Sequence, residues 1–189
     1  MKNIAIFASG AGSNAQKIID HFRNSDQARV ALIICNKPGA GVFQIAEREG
    51  IPGILLEKEQ FLHTDTYIQL LQEYKTDLVV LAGFLWKVPA NLVQAFPERI
   101  INIHPALLPK FGGKGMYGHF VHEAVIAAGE KESGITIHYV NEKYDDGAPI
   151  LQERCAITSD DTPESVAKKV QALEHQWFPI IVERLLSKI

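Results

Sequence analysis

The sequence predicts an α/β fold, a three-layer α/β/α domain built around a parallel sheet. Two observations carry this. Short apolar runs alternate with amphipathic segments from residue 3 to residue 104, and the runs carry apolar residues on both faces. A third bounds the size: 189 residues, 47% hydrophobic and 22% charged, suit one compact domain with a core of its own.

The elements follow in order. "NIAIFA" (3–8) reads as a first strand, and "SNAQKIIDHFRNS" (13–25) as a helix with Ile18, Ile19 and Phe22 on its buried stripe. "VALIICN" (30–36) is a second strand, and "GVFQIAEREG" (41–50) a helix closed by Gly50. "GILL" (53–56) is a short third strand. "EQFLHTDTYIQLLQEY" (59–74) reads as one helix, and "DLVVLAGF" (77–84) as a fully apolar fourth strand. "PANLVQAF" (89–96) is a short helix with Pro in its first turn, and "RIINIH" (99–104) is strand five. The pattern then changes. "GHFVHEAVIAAGE" (118–130) is a helix, while "GITIHYV" (134–140) and "PILQERCAI" (149–157) are strands around the turn-like "NEKYDDGA". "TPESVAKKVQALEHQWFPIIVERLLSKI" (162–189) is a long last helix, expected to bend at Pro179.

Composition narrows the function. The net charge is −3 and no basic stripe is present, so nucleic acid is not expected as a ligand. No apolar run approaches the roughly 18 residues of a membrane span, and the N-terminus lacks a signal-peptide pattern. Cys35 and Cys155 are far apart and fit no metal-spaced pair. One disulfide is possible, but buried free thiols in a reducing, cytoplasmic setting are the reading adopted.

In an open parallel sheet, ligands bind at the carboxyl ends of the strands. Ser9 to Asn14, Phe84 to Val88 and Asn102 to Pro109 all fall there. Asn102 and His104 are two apart on an extended chain, so both side chains face one way and can aim an amide donor and an imidazole at one atom. Turn capping and ordinary core packing compete as explanations for each. "SGAGSN" opens a helix and can hold a phosphate on its free N–H groups. The same run loosely fits a dinucleotide pattern, but Cys35-Asn36-Lys37 supplies no ribose-binding acid after strand two. One carboxylate of "YDDGAPI" (144–150) folding back beside His104 would raise the imidazole pKa, although Asp-Gly is also plain turn chemistry. His119 and His122 are spaced i,i+3, yet no H-E-x-x-H order or Cys/Asp set completes a metal site. No G-x-S-x-G elbow points to a serine hydrolase.

Together "SGAGSN", "VVLAGF", "INIHPALLPKFGG", "GITIHYVNEKYDDGAPILQ" and "VQALEHQWFP" resemble the folate-dependent formyltransferase family over residues 9–179. The resemblance implies a mostly parallel seven-stranded sheet with one antiparallel strand. It also implies a Rossmann-related nucleotide-binding half over about 1–100 and a folate and catalytic half over about 101–189. The implied reaction passes a formyl group from the co-substrate 10-formyltetrahydrofolate to the amine of 5-phosphoribosylglycinamide, in purine (IMP) synthesis. In that family the residues matching Asn102 and His104 meet the oxyanion and supply a proton, and the match to Asp145, the first Asp of "DDG", keeps the His charged. The ribonucleotide would lie on Gly12, Ser13, Asn14, Gln171 and Glu174. The folate would lie between Leu85, Trp86, Lys87, Val88 and the loop Val140, Asn141, Glu142, Lys143, Tyr144, Asp145, with Asn102 beneath. The implied partners are small-molecule substrates, with no metal, and the implied state is a monomer or weak homodimer. Trp86 stands where many members have Arg, no Arg lies near Thr64, and Lys114–Tyr117 lengthens the loop before His119. Sister activities carry a tRNA-binding C-terminal domain or an N-terminal regulatory domain, and neither is expected here.

Overall fold

The computed structural model describes residues 1–189. β1 (Lys2–Ala8) shows why the chain layers. Ile4, Ile6 and Ala8 pack on one face and Ala5 and Phe7 on the other, and all five are fully buried. From Ile4 onward the strand is apolar at every position, so it must be covered on both faces. α1 (Ser13–Phe22), β2 (Ala28–Cys35), α2 (Gly41–Glu49), β3 (Gly53–Leu55), α3 (Lys58–His63), α4 (Thr66–Glu73), β4 (Thr76–Leu81), α5 (Ala90–Ala95) and β5 (Ile100–His104) follow. α6 (His119–Ala127), β6 (Glu132–Tyr139), β7 (Pro149–Ala156) and α7 (Pro163–Leu186) complete the chain. One face of β1 packs with α1, α2 and α7 through Ile18, Val42, Phe178 and Val182. The other packs with α3, α4 and α5 through Phe61, Leu71 and Leu92.

The sheet order is β3-β2-β1-β4-β5-β6-β7. β1 to β5 pair in parallel; β6 is antiparallel to both β5 and β7, so it is the one reversed strand. The expected seven-stranded, mostly parallel sheet is therefore present. Strand order reverses between β1 and β4, which opens a crevice at their carboxyl ends. Ser9 ties that end together. Its N–H donates to the Gly83 carbonyl (3.0 Å), its hydroxyl donates to Asn36 Oδ1 (2.6 Å), and Leu85 N–H donates to its Oγ (2.9 Å).

Several boundaries differ from expectation. The expected helix 59–74 is two helices. Thr64 is extended at the end of α3 (ψ 170°), and its hydroxyl donates to the Gln60 carbonyl at 2.7 Å, closing the turn. β4 stops at Leu81, and Gly83 takes a left-handed φ of 73°. β6 begins at Glu132 instead of Gly134. α7 is one helix through Pro179, opened by Thr162 and Ser165 capping each other. Cys35 and Cys155 are both free thiols. No helix is long and apolar enough to cross a membrane.

Candidate active site

β5 delivers Asn102 and His104 to the crevice. Antiparallel pairing sets His138 of β6 directly opposite Asn102. The loop after β6 doubles back and places Asp145 over both strands, in a left-handed conformation (φ 51°). That return needs close contact: a Cβ on Gly147 would lie 1.7 Å from the Tyr139 carbonyl oxygen.

The four side chains form one network. His138 Nδ1 lies 2.8 Å from the Tyr139 carbonyl, which only accepts, so that nitrogen carries the proton. Nε2 then accepts from Asn102 Nδ2 at 3.1 Å. This fixes the amide with its N–H groups toward the site; the second approaches Asp145 Oδ1 at 3.5 Å, a weak contact. Asp145 Oδ2 accepts from Gly113 N–H at 2.9 Å and lies 3.6 Å from His104 Nδ1. At that distance the His104–Asp145 contact is one of charge rather than hydrogen bonding. His104 Nε2 donates to the Phe111 carbonyl at 2.7 Å, and Phe111 is also left-handed (φ 55°).

Burial reverses one expectation. Asp145 and the Phe111 carbonyl both pull the His104 pKa upward. Desolvation of a ring only 3% exposed outweighs them, and the net shift is below the ordinary histidine value. Burial pushes the Asp145 carboxyl up, but the neighbouring His104 and the Gly113 amide pull the other way, and its pKa falls.

A cavity of about 600 Å³ opens on Asn102, His104 and Asp145. Its lining also includes Asn14, Gln171, Glu174, Leu85, the Gly113–Gly118 loop, the exposed His119 and the buried His122. Lys114–Tyr117, the segment flagged in the sequence, is part of this lining. α1 has Gly12 as its left-handed N-cap (φ 83°), no side-chain cap and no acid in its first turn, so its first N–H groups remain free for an anion. Asn14 Nδ2 donates to Glu174 Oε2 at 2.8 Å, and Gln171 Nε2 donates to Ser13 Oγ at 3.4 Å. All five expected ribonucleotide residues therefore meet where α1 and α7 face each other. Burial raises the Glu174 pKa against the pull of the Asn14 amide, which lessens its repulsion of an anion nearby.

A hollow of about 60 Å³ adjoins the cavity and is lined by Trp86, Lys87, Val88, Val140, Asn141, Lys143 and Tyr144, with Asn102 and Asp145 between the two. Trp86 packs 6.1 Å from Phe61 and 6.5 Å from Phe84 and forms a hydrophobic wall. Leu85, 46% exposed, faces the large cavity instead, and Glu142 turns outward to accept from Gln94. Asp146 accepts from Asn141 at 3.0 Å and helps to shape the loop. Thr64 ends α3 and its carbonyl accepts from Asn91. No set of three His, Cys, Asp or Glu is placed to hold a metal. His138 and the Phe111 carbonyl were missed from the sequence. The only signal for His138 is its cross-strand register with Asn102, which depends on pairing.

The sequence profile of the formyl transferase family matches residues 2–182. The chain belongs to this family. A relative named phosphoribosylglycinamide formyltransferase from Bacillus subtilis is 37% identical over 192 residues, covering 99% of this chain and 96% of the relative. Chloroplastic relatives of that name from Arabidopsis thaliana and Vigna unguiculata are 43% and 41% identical across 96% and 99% of this chain, which spans 64% and 62% of their length. Among solved structures, phosphoribosylglycinamide formyltransferase from Bacillus halodurans superposes with a TM-score of 0.88 at 41% identity, covering 99% of this chain and 96% of that one. The enzyme of that name from Anaplasma phagocytophilum gives 0.89 at 32%, covering 98% and 87%.

Proposed function

We propose that this chain transfers the formyl group of 10-formyltetrahydrofolate to the primary amine of 5-phosphoribosylglycinamide, a step of purine synthesis. One observation carries the reading. Asn102, His104 and Asp145 stand between an anion slot at the start of α1 and an aromatic-walled hollow, so one ligand can approach from each side.

The amine attacks the formyl carbon directly, so no Ser or Cys nucleophile is required. Negative charge gathers on the formyl oxygen, and the Asn102 amide, held by His138, offers an N–H to it. The departing folate nitrogen needs a proton, which a protonated His104 supplies. Its lowered pKa makes that proton a stronger acid, and the Asp145 charge opposes the fall. The phosphate lies on the Gly12–Asn14 turn, with Gln171 and Glu174 toward the ribose, and the pterin lies against Trp86 and Val140.

The test is a transfer assay. Donor consumption is expected only when the amine ribonucleotide is present; consumption without it would indicate a hydrolase acting on the donor, and none at all would end the reading. A variant tests the phosphate slot. Gly12→Val is a poor probe, since a Cβ there meets Val42 Cγ2 at 2.8 Å and the positive φ adds strain. Asn14→Ala is cleaner. Loss of a hydrogen bond to a charged group, about 1.5–3 kcal/mol, should raise the ribonucleotide KM by roughly 10- to 100-fold with folate affinity little changed. A folded Asn14→Ala with unaltered KM would remove the slot from the scheme.

A further inference from the structure

We propose that His122 of α6 is the base that takes the proton from the attacking amine. The assignment rests on the formyl-transfer reading above and fills a task that reading leaves open. His104 delivers one proton to the leaving nitrogen, and nothing yet receives the proton that the amine must lose.

His122 lines the same cavity as Asn102, His104 and Asp145, although it is only 6% exposed. Its Nδ1 is buried and has no hydrogen-bond partner in the protein. Buried polar groups are bonded in the great majority of cases, so an unbonded one needs a reason, and a role in catalysis is one. Packing does not supply that reason. Val121 and Val125 of the same helix already make its apolar contact with Ala106, and an aliphatic side chain would fill the place of His122 with no polar group to desolvate. His119, the other member of the i,i+3 pair, also lines the cavity but lies exposed.

The step balances as follows. The amine lone pair forms the new C–N bond while the formyl C=O pair moves onto oxygen. The attacking nitrogen is now cationic, and one of its protons passes to Nε2 of the neutral His122 imidazole, the ring nitrogen that is neither buried nor hydrogen-bonded in the protein. The oxyanion then collapses, re-forming C=O and breaking the bond to the folate nitrogen, which takes its proton from His104. The products are the formamide and tetrahydrofolate, with His122 protonated and His104 neutral. Exchange with solvent restores both.

The surroundings suit a base that starts neutral. Burial first, then the charges of His104 and His119, hold the His122 pKa below the ordinary value. The titratable and charged groups facing the same space are His104 from β5, His119 from α6, Glu174 from α7, and Lys114, Tyr144 and Asp145 from loops. A weak base is sufficient, because the nitrogen it serves is a cation bonded to the reacting carbon and is far more acidic than a free ammonium.

His122→Gln keeps size and hydrogen bonding but cannot accept a proton. We expect kcat to fall by roughly 100-fold or more, with ribonucleotide KM and melting temperature nearly unchanged. The wild-type kcat/KM should fall in acid as His122 protonates, below about 6.5, and that limb should vanish in the variant. In His122→Ala, added imidazole should restore rate in proportion to its free-base concentration. A folded His122→Gln with wild-type kcat and an intact acid limb would overturn the assignment, as would a folded His122→Ala that imidazole does not rescue. Wild-type protein that transfers no formyl group would instead overturn the reaction itself, and this role with it.

Discussion

Replacing His104 by Ala is expected to lower kcat by at least about 100-fold and to leave ribonucleotide affinity nearly unchanged. The ring makes its two polar contacts to Phe111 and Asp145, away from the α1–α7 wall where the phosphate is placed. Asp145→Asn should act on the same step by removing the carboxylate 3.6 Å from Nδ1. Because the two groups act as a unit, the double variant should lose far less than the product of the single losses. Strictly multiplicative losses from folded variants would show independent action. The pH dependence has a definite sign. Burial sets the His104 pKa below about 6.5, so the acid form is complete at low pH and is lost as pH rises through that depressed value. The Asp145 charge opposes burial, so Asp145→Asn should move the alkaline limb of kcat/KM further toward acid. A limb that stays in place, or moves toward alkali, would contradict the balance of forces described for this ring.

Gly147→Ala is expected to lower kcat by roughly 100-fold and to reduce the melting temperature as well. The added Cβ would sit 1.7 Å from the Tyr139 carbonyl oxygen, where carbon–oxygen contacts ordinarily begin near about 3.3 Å. The obstacle is backbone and cannot rotate aside. The loop must therefore lift by more than an ångström, and Asp145, two residues earlier, must lift with it. A misplacement of about 1 Å in a reacting constellation costs roughly 100-fold. His104→Ala provides the contrast, because it removes the acid without a backbone clash. Calorimetric melting alongside kcat separates the two effects, and wild-type turnover from Gly147→Ala would refute this account of the loop.

Much of this was legible in the sequence because the physics is local. β1, β2 and β4 are apolar at nearly every position, and only a strand covered on both sides can satisfy that. Asn102 and His104 were legible from simple alternation along β5. The break at Thr64 was not, since "HTDT" continues the helical spacing and only the bond from the Thr64 hydroxyl to Gln60 shows the turn closing. His138 was hidden for a different reason: its partner, Asn102, is 36 residues away and is set by strand register. The sign of the His104 shift is not legible in the sequence, because a motif shows a charged neighbour but not the depth of burial.

The anion slot has a consequence for how the protein is made. Asn14 and Glu174 are bonded across 160 residues of chain. The Asn14 side of the proposed ribonucleotide slot is therefore synthesised 160 residues before the Glu174 side. The helix that brings Glu174 also brings Phe178, Ile181 and Val182 onto the face of β1 that Ile4 and Ile6 present. Docking of α7 thus closes the core and joins the Asn14–Glu174 pair in one event. A ligand held in the proposed slot would bridge α1 and α7 and favour the folded state by mass action.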